Sequence, residues 1–417
     1  MLDIRFIREN AELVANKAQQ KGYKTDVSRL LQADEKRRDL LKQLEDIRAQ
    51  RNALTEKSKG AKPSEEQIAQ GKDLRQKAEE LEAQLEPAES GYRELLAAIP
   101  NVFPDDTPLG GEEANREEKK WGDTAGKGFE VQDHLAWAEK NGLIDFERGA
   151  KVAGNKFYYL KAGLVEMELA LAQFSLALVK KHGFWPMMVP HMVNTRILEG
   201  AGFSAKGDEK QIYKIEGEDL NLIATAEIPL TGFFADEIIP SEWLPSRMAG
   251  ISPSYRVEAG AYGKHSRGLY RVHQFNKTEL YIYCRPEESE EQHQKLLAIE
   301  EEICQKLELP YRVVRIAAGD LGAPAYKKYD VEYWSPADKS YHELMSCSNV
   351  TDYQARRLNI RYKNDKGETK FVHTLNATAA AYSRMLIAII ENNQTEGGKV
   401  SIPMALRTYM GGELAIG

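Results

Sequence analysis

The chain has 417 residues, more than one ordinary core accommodates, so two or three domains are expected. Hydrophobic residues make up 42%, which excludes wholesale disorder, and 64 acids against 57 bases give a net charge of −7. That balance excludes a uniformly positive coat for nucleic acid but leaves room for local basic patches. The three cysteines (Cys284, Cys304, Cys347) form no CxxC and the eight histidines no HExxH. A disulfide framework or a His/Cys metal site is therefore not expected, and a reducing compartment is. The amphipathic start Met1-Leu2-Asp3-Ile4-Arg5 has no apolar signal segment, and no run reaches the roughly 18 apolar residues of a membrane span. The expectation is a soluble cytoplasmic protein.

In chain order, residues 1–27 read as a short helical segment and a turn. From about Leu31 to Gly60 the positions Ala33, Arg37, Leu40, Leu44, Ile47, Arg51 and Leu54 alternate spacings of four and three. Leu74, Ala78, Leu81, Leu85, Ala88, Tyr92 and Leu95 keep the same rhythm. Two heptad runs predict two helices meeting along a narrow seam. Gly60 stops the first helix, and Ser64-Glu65-Glu66-Gln67 is a capping box that starts the second. The short link makes the pair antiparallel, a hairpin on the order of 40 Å long at 1.5 Å per residue. Pro87 should kink or split the second helix. Residues 1–100 thus form a helical arm, with the hairpin at about 29–97. Residues 101–130, rich in Pro, Gly and charge, read as a linker.

The remaining residues, 131–417, mix helix and strand periods. Leu164, Met167, Leu171, Phe174 and Leu178 share one face of a helix over 163–181. A strand follows over 184–189 and stops at Pro190. A helix is predicted over 287–308, a strand over 311–316 and a buried helix over 380–393. Helices and strands do not alternate strictly, so the fold class expected is α+β with an antiparallel sheet.

The chemistry concentrates in Ser254-Tyr255-Arg256-Val257-Glu258-Ala259-Gly260 and Gly268-Leu269-Tyr270-Arg271-Val272-His273-Gln274-Phe275-Asn276-Lys277-Thr278-Glu279. As two strands of a hairpin, they put Arg271, His273, Phe275, Lys277 and Glu279 on one face, with Arg256 and Glu258 together on the partner strand. Arginines grip phosphate or carboxylate in bidentate fashion, and an aromatic ring stacks a base. That surface fits a nucleotide plus an amino acid, but from pattern alone a surface hairpin with cross-strand ion pairs is the commoner outcome. Cys347 reads as a packed core thiol.

The Arg-x-Glu, loop and Gly-Leu-x-Arg-x-His-Gln-Phe-x-Lys-x-Glu run resembles motif 2 of the class II aminoacyl-tRNA synthetases, in its seryl-tRNA synthetase form. Residues 163–190 resemble motif 1, and the segment from His373 through Arg384 to Gln394 resembles motif 3. Thr225-Ala226-Glu227-Ile228-Pro229-Leu230 and Glu343-Leu344-Met345-Ser346-Cys347-Ser348-Asn349, followed by Asp352-Tyr353-Gln354-Ala355-Arg356-Arg357, are also similar to the family. With the hairpin, the resemblance spans the chain.

The resemblance implies activation of L-serine with ATP to seryl-adenylate and transfer of serine to the 3′ end of tRNA(Ser), with tRNA(Sec) a further candidate. It implies that Arg256 holds the α-phosphate and the serine carboxylate, and that Arg271 and Arg384 hold the bent β- and γ-phosphates. Phe275 would stack on adenine and Glu258 accept from its amino group, with Val257, Val272, Leu344 and Met345 completing the ATP site. Glu343 and Ser346 would hold Mg2+. Thr225, Ala226, Glu227, Glu279 and Thr378 would contact serine. The chain departs from the usual Asn-Gly-Ser-Gly of motif 3 by reading Asn376-Ala377-Thr378-Ala379, which alters the serine pocket more than the ATP site. Motif 1 implies a homodimer.

Arg48, Arg51, Lys57, Lys59 and Lys62 make the hairpin tip basic, suited to tRNA phosphates without base reading. Lys264 and Arg267 in the motif 2 loop would meet the acceptor end. The alternatives are a ligase loading an amino acid onto a carrier protein, a class II synthetase for another small amino acid, and a non-catalytic relative.

Overall fold

The computed structural model describes residues 1–57, 64–203, 212–258 and 268–417, with the side chain of Lys57 outside the described set. By its contacts the chain divides into Met1–Val102 and Phe103–Gly417.

The first unit is helical: α1 (Ile4–Glu9), α2 (Ala11–Gln20), α3 (Val27–Lys57) and α4 (Glu65–Ala97). The capping box is present in full, with Ser64 Oγ accepting from the Gln67 amide and Gln67 Oε1 from the Ser64 amide. Leu40, Leu44, Leu74, Ala78 and Tyr92 of the predicted seam are buried. Arg51, also placed on the seam, is exposed. Pro87 does not split α4, which runs unbroken through it. The bond the proline forfeits belongs to the carbonyl of Ala83, an exposed position that water can satisfy. A buried acid, Asp34, collects Arg8, Arg37 and Arg38 at 3.5, 3.6 and 3.0 Å. Gly60, the predicted helix stop, lies outside the described residues.

The second unit is α+β. Its main strands are β1 (Arg116–Trp121), β2 (Trp185–Met188), β3 (Ser246–Tyr255), β4 (Gln274–Cys284), β5 (Tyr311–Arg315), β6 (Lys327–Ser335), β7 (Ser340–Thr351) and β8 (His373–Ala381). They form one sheet in the order β1-β5-β6-β7-β8-β4-β3-β2, antiparallel throughout except for the parallel β2–β3 pair. The segment 101–130, read as a linker, contributes a strand that the sequence reading did not place: Arg-Glu-Glu-Lys-Lys-Trp pairs with β5. All six of its residues are exposed, so no apolar alternation marks it as a strand.

One face of the sheet is apolar. Leu280 and Ile282 of β4, Met345 and Cys347 of β7, and Leu375 and Ala377 of β8 pack against helices α5 (Gly163–Lys181), α7 (Ser289–Lys306) and α8 (Tyr382–Asn392). The five α5 residues predicted to share a face are all buried there. The other face is polar at its centre, where Thr378 lies opposite Glu279, Asn376 opposite Tyr281, and Asp330 opposite Ser346. A short helix, α6 (Glu227–Gly232), presses onto this face, and a Cβ on Gly250 of β3 would stand 3.0 Å from Ala226 and 2.9 Å from Leu230.

Candidate active site

Two irregularities bring the site together. Glu343 and Ser346 are three residues apart, which puts side chains on opposite faces of a regular strand. β7, however, pairs Val331 with Met345 and Glu332 with Glu343, so Leu344 is an extra residue, a bulge. The bulge returns Glu343 and Ser346 to one face. A second bulge at Ala379 lies where β8 faces β4, between Thr378 and Ala380. β8 then runs directly into α8, whose first turn carries Arg384. A cation there opposes the helix macrodipole, an arrangement that costs about 0.3–1 kcal/mol. Its charge is met by Glu343: Nη1 lies 3.1 Å from Oε2 and donates to the backbone carbonyl at 3.3 Å.

Arg256, Glu258, Val272, Phe275, Glu343, Leu344, Ser346, Thr378 and Arg384 line one cleft. The Arg256 guanidinium lies 5.3 Å from the centre of the Phe275 ring, and that of Arg384 lies 4.5 Å from the centre of Tyr270. Burial lowers the Arg256 pKa and the like charge of Arg384 lowers it further. For Glu343, burial acts upward, but Arg384, then Lys328 and Arg256, override it and hold the carboxyl at about 2. Glu258 sits at φ 49°, a left-handed conformation that non-glycine residues seldom adopt.

Other expected residues stand differently. β4 begins at Gln274, so strand alternation does not reach Arg271 or His273, which follow a 3-10 turn over Gly268–Tyr270. Arg271 pairs with Glu258 at 3.2 Å and is not part of the cleft wall. His273 Nδ1 lies 2.9 Å from the Arg256 carbonyl. Met345 is buried on the apolar face because the bulge changes the parity of β7, and Ala226 is buried beneath β3. Neither lines the cleft. Val257 is half-buried beside it. Arg384, expected to hold phosphate, already has a protein partner in Glu343.

Thr225, Glu227 and Glu279 form a polar group behind the cleft. Thr225 Oγ1 donates to Glu279 Oε2 at 3.1 Å and accepts from the Glu227 amide at 3.3 Å. Lys277 pairs with Glu279. Glu227 Oε1 accepts from Gln354 at 2.8 Å and from Asn376 at 3.1 Å. Burial, then the neighbouring Glu279, push Glu227 up to about 7. Tyr270, Asn376 and Gln354 were assigned no role, although each lies in a family-like run: Tyr270 beside Arg271 in motif 2, Asn376 in motif 3 and Gln354 in the segment from Asp352 to Arg357.

A second cavity of about 320 Å³ lies beyond Tyr270, among His134, Asp338, His342 and Glu391. Of its three acids, Glu391 pairs with His134 at 3.0 Å and Asp338 with His342 at 2.9 Å, and Asp133 accepts from the Leu135 and Ala136 amides. In the cleft, Arg384 is paired with Glu343, whereas Arg256 has no ion pair among the described residues; its Nε donates to the Ala224 carbonyl at 3.3 Å. Of the tip and loop residues, Arg48 bonds Glu82 at 2.8 Å, whereas Lys59, Lys62, Lys264 and Arg267 lie outside the described residues.

Residues 211–393 match the tRNA synthetase class II core domain (G, H, P, S and T), which assigns the sheet and its cleft to that class. Residues 1–103 match the seryl-tRNA synthetase N-terminal domain. The chain is 46% identical to the serine--tRNA ligase of Dictyoglomus turgidum and 45% identical to that of Rubrobacter xylanophilus, over 99% of this chain and 98% and 99% of theirs. The crystal structure of seryl-tRNA synthetase from Pyrococcus horikoshii complexed with ATP superposes with a TM-score of 0.91 at 39% identity, each chain covered in full. The cytoplasmic serine-tRNA ligase from Naegleria fowleri in complex with AMP gives 0.87 at 31% identity, covering 100% of this chain and 98% of that one. The chain belongs to the seryl-tRNA synthetase family, and its activity is the ATP-dependent ligation of serine to tRNA. No helix among the described residues is long and apolar enough to cross a membrane.

Proposed function

We propose that serine and ATP are condensed in the Arg256–Arg384 cleft. The carrying observation is that two arginines, an aromatic ring and a deprotonated acid from three separate chain segments line one small space. A serine carboxylate oxygen attacks the α-phosphorus, and the bond to pyrophosphate breaks. Arg256 stabilises the added negative charge, a preorganised electrostatic contribution rather than a covalent one. Arg384 holds the outer phosphates, Phe275 offers its ring to adenine, and Glu258 accepts from the base. Arg271, bonded to Glu258, either reaches the phosphates by exchanging that partner or holds Glu258 in place. The ATP complex of the Pyrococcus horikoshii relative supports ATP as the nucleotide.

Glu343 and Ser346 fit Mg2+: a charged carboxylate and a hydroxyl on one face are hard oxygen donors, the phosphates and water completing the set. The ion would neutralise phosphate charge when bound. Thr225, Glu227, Glu279 and Thr378 receive serine. Buried polar groups aimed at a hydroxyl reject alanine and glycine, and shape must reject threonine.

The transfer step moves the seryl group to the 3′ hydroxyl of tRNA(Ser), with AMP leaving. The arm, residues 1–100, holds the tRNA through Arg48, Arg51, Lys57, Lys59 and Lys62, and the motif 2 loop through Lys264 and Arg267; tRNA(Sec) is a second candidate. We also propose a homodimer. Among the described residues no further strand pairs with the outer edge of β2, where Trp185 is 68% and Met188 77% exposed, and Leu169 of α5 is exposed as well. Three free cysteines support a cytoplasmic location.

Amino-acid-dependent pyrophosphate exchange tests the reading. Exchange is expected with serine and not with threonine, alanine, glycine or proline, and Arg384→Ala should abolish it. Equal exchange with threonine, or an active Arg384→Ala protein, would refute the assignment.

A further inference from the structure

Gln354 is wholly buried on a short helix, Tyr353–Arg357, and every hydrogen-bonding position of its amide is used. Nε2 donates to the Ala201 carbonyl at 3.0 Å and to Glu227 Oε1 at 2.8 Å. Oε1 accepts from the Tyr281 hydroxyl at 2.8 Å and the Thr374 hydroxyl at 2.7 Å. The orientation of the amide follows from chemistry: a backbone carbonyl only accepts, so the nitrogen must face Ala201. The same nitrogen then faces Glu227. Asn376 donates to that same Glu227 oxygen at 3.1 Å. Among the described residues, none bonds Glu227 Oε2.

Two donors on one oxygen thus leave the other as the only open acceptor of this carboxyl. We propose that Gln354 is a positioning residue that sets serine specificity. It clamps Glu227 Oε1, so that Oε2 alone is presented to the ammonium or hydroxyl of the substrate. The inference rests on the reading of Glu227 as a serine contact.

Gln354 also bears on the charge of that contact. An N–H donor favours the carboxylate form, so its loss raises the Glu227 pKa further. Besides Gln354, Asn376 donates to Glu227, and the charged groups that act on it are Glu279, which opposes its ionisation, and Lys277 and Arg256, which favour it. They remain when Gln354 is replaced.

The test is steady-state pyrophosphate exchange by the full chain. Gln354→Met should raise the serine KM roughly ten- to hundredfold, with the ATP KM unchanged within about twofold. It should also move the acid limb of kcat/KM for serine to higher pH. Tyr281→Phe removes a partner from the far side of the same amide and leaves Glu227 bonded; it should lower thermal stability but move neither quantity. Gln354→Glu keeps the chain length and regains a donor only when protonated, so the ratio of its serine KM to that of the wild type at the same pH should fall as pH drops from about 8 to 6, which keeps the idea testable if the methionine variant does not fold.

An unchanged serine KM in both Gln354 variants, or an equal rise for serine and ATP, would overturn the proposal. So would a Tyr281→Phe protein that behaves like Gln354→Met. Glu227→Gln separates the two layers. If it leaves the serine KM alone, the serine contact itself is wrong. If it raises the KM while the Gln354 variants do not, only the clamp is wrong.

Discussion

Glu227 is the residue with the most to reveal under titration. Its pKa of about 7 in the folded protein exceeds the ordinary 4.5, burial being the main cause. Between those values the folded state binds more protons than the unfolded one. Stability therefore falls as pH rises through the window and levels off above it. Glu227→Gln removes the ionisation. In chemical denaturation at pH 5 and pH 8, the wild type should lose on the order of 2 kcal/mol more than the variant. Asp330, also pushed up to about 7 by burial, is present in both proteins and cancels. At this scale the motif residues Arg256, Glu258, Phe275 and Arg384 were legible, because each lies in a recognisable local run. For Gln354 and Asn376 the run was legible but the contact was not: both bond Glu227, far away in sequence. Met345 and Ala226 were misplaced because side-chain direction depends on a bulge and a helix packing that no local pattern records.

Among the elements, the arm was the most legible, since heptads and a capping box are local signals. Its buried charge was not. Asp34 is wholly buried among Arg8, Arg37 and Arg38, and Arg37 also lies over the Tyr92 ring at 4.6 Å. Asp34→Ala leaves three guanidinium groups close together without the acid and should destabilise the first unit by about 3 kcal/mol, read as a lower denaturation midpoint. Serine-dependent pyrophosphate exchange should persist. A stability equal to wild type would show that the cluster contributes nothing. The strand β1 was illegible for the opposite reason: its residues are all charged or exposed, and only the pairing with β5 makes it a strand.

For the whole molecule, division of labour between the two units predicts separable activities. Deleting residues 31–97 should leave adenylate formation largely intact and destroy tRNA charging. Normal charging by the truncated protein would refute the role of the arm. In the intact protein, tRNA binding should weaken as salt rises, because phosphate contacts release counterions. The β2 edge makes a further prediction: Trp185→Glu with Met188→Glu should convert a dimer to a monomer in sedimentation. A double variant that still sediments as a dimer would remove this edge from the interface.

The two ends of the main sheet are treated differently. The margin at β1 presents Arg116, Glu117, Glu118, Lys119 and Lys120, with a bulge between Glu117 and Lys119. At the β2 margin Trp185 and Met188 are exposed, and no further strand among the described residues pairs with it. Charge and irregularity deter another strand from docking, so copies of this sheet have a single adhesive border. In the proposed homodimer, joining through one border by a twofold axis would use it up on both partners, and growth would stop at a pair. Head-to-tail stacking into fibres would need two adhesive borders, and the guarded margin withholds the second.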